Sequence, residues 1–216
     1  ESIGGALALS HAPTATATLR PTPTQTSTPV AGTTITNSKD GAIYVWIPAG
    51  EFTMGSSDAD ARAFPDEKPQ HTVAVDGFWI MQTEVTNAQY KRCVDAGVCT
   101  EPNSNRWQDG TFAHYPVAGV SWSQANTYAE WVDGRLPTEA EWEKACRGTD
   151  GRIYPWGDEA PSPERLNYLG SDKGETVPVG SYPPGAHGLY DMAGNVWEWT
   201  SNLHKGYPYR ADDGRE

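Results

Sequence analysis

Gly188–Thr200 reads GLYDMAGNVWEWT, and the rest of the chain is organised around it. Asp191, Asn195 and Glu198 place side-chain oxygens beside Ala193-Gly194 and the aromatics Tyr190, Trp197 and Trp199. A hard cation such as calcium takes roughly six to eight oxygens, from carboxylates and backbone carbonyls together. A short irregular turn supplies that mixture, and Gly194 lets the backbone take angles that other residues resist. The competing reading is structural: two tryptophans plug a core while the polar residues cap a turn. Spacing leaves both open, because the segment is not an EF-hand loop.

Outward from this stretch, the 216 residues suffice for one domain with a core plus a tail. A formal net charge of -12 argues against a nucleic-acid backbone as partner and fits a surface that attracts cations. Nine tryptophans among 22 glycines predict bulky anchors in a loop-rich chain. No apolar run approaches the length of a membrane span. GGALALS, near the start, is too short to establish a signal peptide. Both ends read as cut, since the chain begins at Glu1 and stops in a polar run at Glu216.

Residues 13–37, PTATATLRPTPTQTSTPVAGTTITN, have almost nothing to bury and read as an extended linker. Residues 1–40 are accordingly expected to be a disordered Thr/Pro-rich arm, and residues 41–216 the folded domain. Ala42–Ile47 predicts a strand ending at Pro48-Ala49-Gly50, and Glu51–Gly55 a returning one. His71–Val75 and Phe78–Met81 predict a second pair about Asp76-Gly77.

Three helices announce themselves identically. Thr86-x-x-Gln89, Ser121-x-x-Gln124 and Thr138-x-x-Glu141 are capping boxes, with Gly97, Gly134 and Gly148 at the expected stops. Trp142 and Cys146 share a face of the third helix. The Gly/Pro-rich run from Gly148 to Gly188 needs an organiser, either bound cations or buried Tyr154, Trp156 and Tyr182.

Cys93 and Cys99 are close enough to bridge across a turn, or are structural thiols; neither they nor Cys146 has zinc-site spacing. His71, His114, His187 and His204 are scattered, and no G-x-S-x-G elbow appears. Trp197 and Trp199 alternate, which predicts one in the core and one lining a groove, with Trp197 the groove candidate.

The series WIPAGEFTMGS, EVTNAQY, YPVAGVSWSQA, GRLPTEAEWEKACRG, YPWGDE and TVPVGSYPPGAHGLYDMAGNVWEWT resembles the formylglycine-generating enzyme family, the sulfatase-modifying factor domains. It runs in order from about Ile43 to Thr200. The resemblance implies an α+β, C-type lectin-like fold with little regular secondary structure and two structural calcium ions. By motif, one ion falls on Asp191, Gly194, Val196 and Glu198. The other falls on Asn167 and Tyr168, closed near Asp172 or Gly174. Active members oxidise a substrate cysteine to Cα-formylglycine with dioxygen and a copper ion held by two cysteines. Those cysteines belong to a later segment, so the resemblance places no catalytic residue in this chain. A cysteine-containing polypeptide such as a sulfatase is the implied partner. Other members are parts of iron-dependent sulfoxide synthases, or non-catalytic modules on membrane-anchored bacterial Ser/Thr kinases and lipoproteins. The Thr/Pro arm resembles the linkers of this last group, which implies a monomeric, extracytoplasmic or secreted domain with a tether upstream; a cytoplasmic location is the alternative.

Overall fold

All three capping boxes form as the sequence predicts: Thr86, Ser121 and Thr138 each accept from the backbone N–H three residues on, and Gln89, Gln124 and Glu141 reach back. The computed structural model describes residues 28–60 and 62–216. Helix α1 spans Asn87–Asp95, α2 Trp122–Trp131 and α3 Glu139–Arg147. Gly97 and Gly148 take positive φ after α1 and α3. After α2 the left-handed residue is Asp133 (φ 63°) rather than Gly134, whose N–H instead bonds the Ala129 carbonyl at 2.8 Å.

Five short strands make two antiparallel sheets among the described residues. Strand β1 (Thr34–Thr36), β2 (Ile43–Ile47) and β5 (Phe78–Met81) pair in the order β1-β2-β5, while β3 (Gly50–Met54) pairs with β4 (His71–Val75). This corrects two expectations. Strand β3 does not return onto β2, and β4 does not pair with β5. The links at Pro48-Ala49 and Asp76-Gly77 carry the chain from one sheet to the other and back. Val45 faces Ile80 in the first sheet, and Phe52 faces Val73 in the second. Gly77 is required at the return, because a Cβ there would lie 2.5 Å from the Trp46 ring.

The folded region also begins before Asp40. Strand β1 belongs to the first sheet, and the Asn37 amide donates to the Val132 carbonyl at 2.8 Å. The Thr/Pro tract before residue 28 lies outside the described residues. No described helix is long and apolar enough to cross a membrane.

Helix α3 lies against both sheets. Its Ala145 and Cys146 pack with Val45, Ile47, Phe78, Leu189 and Met192, and its Ala140 packs with Phe52, Met54 and Tyr209. Trp142 joins the first cluster, as its spacing from Cys146 predicts. At the sheet switch the wholly buried Lys144 donates to Pro48 O (2.8 Å) and to Gly50 O (2.9 Å), at the start of β3. Burial pushes its ammonium below the usual lysine range. A third cluster joins α1 to α2 through stacked Tyr90 and Tyr128, and Cys93 in it is bonded to Cys99 with Cα atoms 5.2 Å apart.

Beyond Gly148 the described residues show only short 3-10 turns. Tyr154 and Trp156 stack at 5.1 Å, but they and Tyr182 are half-buried rather than core residues. Much of the order there comes from polar ties. Arg147 is one, donating to the carbonyls of Gly55 (2.7 Å) and Arg152 (2.6 Å).

Replacing Lys144 by Met should deprive the Pro48 and Gly50 carbonyls of this donor. A loss of about 1–3 kcal/mol is expected, read as a lower urea midpoint at unchanged slope. Cys146 is a buried free thiol pushed up to about 12, by burial first and then by Glu143 and Glu198. Without reductant, the native protein should therefore resist iodoacetamide at pH 8 and yield one alkylated cysteine per chain, Cys146, once unfolded.

Candidate functional site

The Asp191–Glu198 loop turns through left-handed angles at Asp191 (φ 56°), Gly194 (φ 88°) and Asn195 (φ 59°). Asp and Asn tolerate that region better than most residues, yet they still need holding. Glycine is obligatory at 194, where a Cβ would come within 2.3 Å of the Asn167 carbonyl oxygen. Asn195 is gripped from every side. Its Oδ1 accepts from Val177 N (2.9 Å) and Asn167 Nδ2 (3.2 Å), and its Nδ2 donates to Glu84 Oε2 (2.7 Å) and Val177 O (3.2 Å). Its backbone N–H donates to Asn167 O at 2.8 Å. The structure thus gives Asn195 a bracing role, where its side-chain oxygen reads from the sequence as part of a ligand set.

Asp191 and Glu198 are brought together with a third acid, Glu84, which the motif reading missed. Its signal was a carboxylate set against Val85 directly before the Thr86 cap. Burial and then Glu198 and Asp191 push Glu84 up to about 9. Burial also raises Asp191. Glu198 keeps exposed surface as a residue, yet its carboxylate is enclosed enough that burial and Asp191 push it up, opposed by the Trp142 indole N–H at 2.9 Å. Asp191 Oδ2 accepts from Gly180 N at 2.6 Å, while the buried Oδ1 finds no hydrogen-bond donor among the described residues. Side chains alone do not form a cage, for no three His, Cys, Asp or Glu residues in the described part are arranged to hold a metal. An ion here would need the carbonyls of Gly194 and Val196.

The second expected ligand set differs. Asn167 is buried, its Oδ1 accepting from Ser171 Oγ (2.8 Å) and its Nδ2 donating to Glu175 O (2.8 Å). The Tyr168 carbonyl accepts from Ser171 N and Oγ at 2.9 and 2.7 Å. Asp172 and Gly174 are exposed. In this structure Asn167 Oδ1 and the Tyr168 carbonyl are thus engaged by Ser171, while Asp172 and Gly174 face solvent. The cysteines do not fit a copper pair, since Cys93 and Cys99 are bonded to each other and Cys146 stands alone, donating to Met192 O.

A cleft of about 800 Å³ opens beside the acidic loop. Strand β5, helix α2, the 133–137 segment and residues 196–199 wall it, with Trp79, Met81, Tyr128, Leu136, Trp197 and Trp199 among the lining. Neither tryptophan of the WEW motif plugs the core. Trp197 is fully exposed, and Trp199 is half exposed with its indole N–H held by Val120 O at 3.0 Å. Trp122 is anchored the same way, donating to Thr200 O at 2.8 Å.

Residues 30–214 match the family described as the sulfatase-modifying factor enzyme 1-like domain. Among curated proteins, the chain is 34% identical to the formylglycine-generating enzyme of Mus musculus, over 72% of this chain and 57% of that protein. It is 38% identical to the serine/threonine-protein kinase Pkn1 of Chlamydia trachomatis, over 74% of this chain and 28% of the kinase. The chain thus spans about half or less of the length of these relatives. The solved structure of PvdO from Pseudomonas aeruginosa is 31% identical and superposes with a TM-score of 0.72, covering 82% of this chain and 77% of that one. Its α+β fold with little regular structure and its matched motifs make this chain a member of the formylglycine-generating enzyme, or sulfatase-modifying factor, family.

Proposed function

We propose that this chain binds an extended, cysteine-containing polypeptide in the cleft beneath Trp197, with the neighbouring loop set by one structural calcium ion. The observation that carries this reading is the cleft itself, apolar along β5 and α2 and rimmed by an aromatic that nothing in the fold buries. Asp191 and Glu198 would hold the ion with the carbonyls of Gly194 and Val196. The buried, donorless Asp191 Oδ1 and the crowding of three carboxylates both favour a hard cation there. Calcium would supply the counter-charge that keeps the loop in one shape. The residues themselves present the tryptophans and shape the cleft. The family's copper-dependent oxidation of cysteine to formylglycine needs an open thiolate pair, which Cys93, Cys99 and Cys146 do not provide. This chain's share of such an activity is therefore recognition of the substrate polypeptide.

A second reading, an extracytoplasmic sensory module on a tether, draws on the likeness to Pkn1 and on the Thr/Pro tract. The Cys93–Cys99 bond suits an oxidising compartment and supports the location common to both readings. Protease added to intact cells should digest the domain, and full protection would reject that location.

Removing calcium with a chelator should lower the melting temperature. Restoring it at about 100-fold over its Kd should contribute about 2.7 kcal/mol, or roughly 5–10 °C for a domain of this size. Asp191→Ala should abolish the response. A melting temperature indifferent to chelation, with no calcium found by metal analysis, rejects the ion. A peptide of the C-x-P-x-R type should bind by calorimetry and lose about tenfold or more in affinity with Trp197→Ala, whose exposed position leaves stability unchanged. Incubated with copper, dioxygen and this chain, the peptide should form no formylglycine, and formylglycine detected by mass spectrometry would overturn that assignment.

A further inference from the structure

We propose that Glu84 is the positioning residue of the calcium site, bracing the Asn195–Val196 backbone so that the carbonyls flanking Asn195 face the ion. The inference rests on the calcium reading of Asp191, Gly194, Val196 and Glu198 and names how that site is held.

Glu84 lies 111 residues from Asn195 in sequence, and both of its oxygens go to the loop. Oε2 accepts from Asn195 Nδ2 at 2.7 Å, and Oε1 accepts from Val196 N at 3.1 Å. The side chain is buried and grows from a rigid base. Next to it, the Val85 carbonyl accepts from Val117 N at 2.8 Å, and Thr86 is the N-cap of α1. The carboxylate therefore transmits the position of α1 to residues 195 and 196. One of these has left-handed angles, and the other carries a carbonyl assigned to the ion. With its oxygens spent on the loop's own donors, Glu84 acts through the backbone rather than as a primary ligand. Partners of this kind, one shell out from a metal, typically contribute 10–100-fold in affinity. Glu84, Val196 and Glu198 all border the cleft, so the same brace ties the ion to the cleft wall below Trp197.

Two substitutions separate position from charge. Glu84→Gln keeps the shape but turns an amide N–H₂ on one of the two loop donors. Glu84→Asp keeps the charge but is one methylene too short to reach both. Titrating calcium chloride into wild type and both variants by calorimetry should show affinities about tenfold or more weaker in both. Their melting temperatures in chelator should stay within a few degrees of wild type. Wild-type affinity in both variants overturns the proposal. So does normal affinity in Glu84→Asp with loss in Glu84→Gln, which would make Glu84 a charge and not a brace. If Glu84→Gln fails to fold, Glu84→Asp alone still decides, since it keeps the charge. Wild-type protein that takes up no calcium removes the ion itself, an outcome distinct from a wild type that binds alongside variants that bind as well.

Discussion

A loop that passes through left-handed angles at two side-chain-bearing residues holds one shape only where hydrogen bonds overdetermine it. Asn195 provides that constraint. A carboxamide offers two donors and two acceptor sites, and here all four are used, on Glu84, Val177 and Asn167. The residues it joins come from three stretches of the chain, each with little periodicity of its own. Through Asn167 the lock extends to Ser171 and Glu175, so the 167–177 segment is fixed by the same amide. The acids then follow from the turn. With Asn195 held, Asp191 and Glu198 are brought to Glu84 whatever their mutual repulsion, and the surrounding hydrogen bonds must outweigh it.

The body of the fold solves a different problem. Five short strands divide between two sheets, so the chain crosses from one sheet to the other twice. Each crossing exposes backbone groups that a continuous ladder would have paired, and a buried unpaired carbonyl costs about 1–3 kcal/mol. Lys144 answers both Pro48 and Gly50 from α3, the helix that also fills the cores under the two sheets. A buried cation is expensive when isolated, but one surrounded by carbonyl dipoles is solvated by the protein instead of by water. The arrangement explains how a domain poor in regular structure keeps two sheets in fixed relation to one helix.

What could be read in the sequence divides along the same physical line. The helix starts were legible to the residue, because a capping box is a local event between a hydroxyl and an amide three positions away. The strands were legible as segments, Ile43–Ile47 and Phe78–Met81 among them, but their pairing was not. Pro48-Ala49-Gly50 and Asp76-Gly77 announce a change of direction, and nothing in a turn residue says which strand receives the chain. β1 was lost in the Thr/Pro tract because three threonine-rich residues acquire strand character only from Val45, Tyr44 and Ile43 opposite them. In the candidate site, Asp191 and Glu198 were found by motif. Glu84 was not, since its role depends on a contact across 111 residues. Trp197 does line the cleft, but alternation, a rule for strands, wrongly puts its partner Trp199 in the core, because the loop is not a strand.

Family membership and geometry together bear on function unequally. The same fold is shared with proteins named for different activities, so the scaffold by itself selects none of them. The side chains that the scaffold displays are more informative. Indoles at Trp122 and Trp199 are pinned through their N–H groups to the carbonyls of Thr200 and Val120, which fixes aromatic surface at low entropic cost. Trp197 has no such restraint and projects from the rigid loop between them. A large apolar side chain left in water disfavours the free state, and that cost is recovered only when a partner covers it. The redox-capable groups are treated in the opposite way, two thiols consumed in a bond and the third buried against Met192. Among the described residues, aromatic surface is thus left open beside the cleft while all three thiols are closed off.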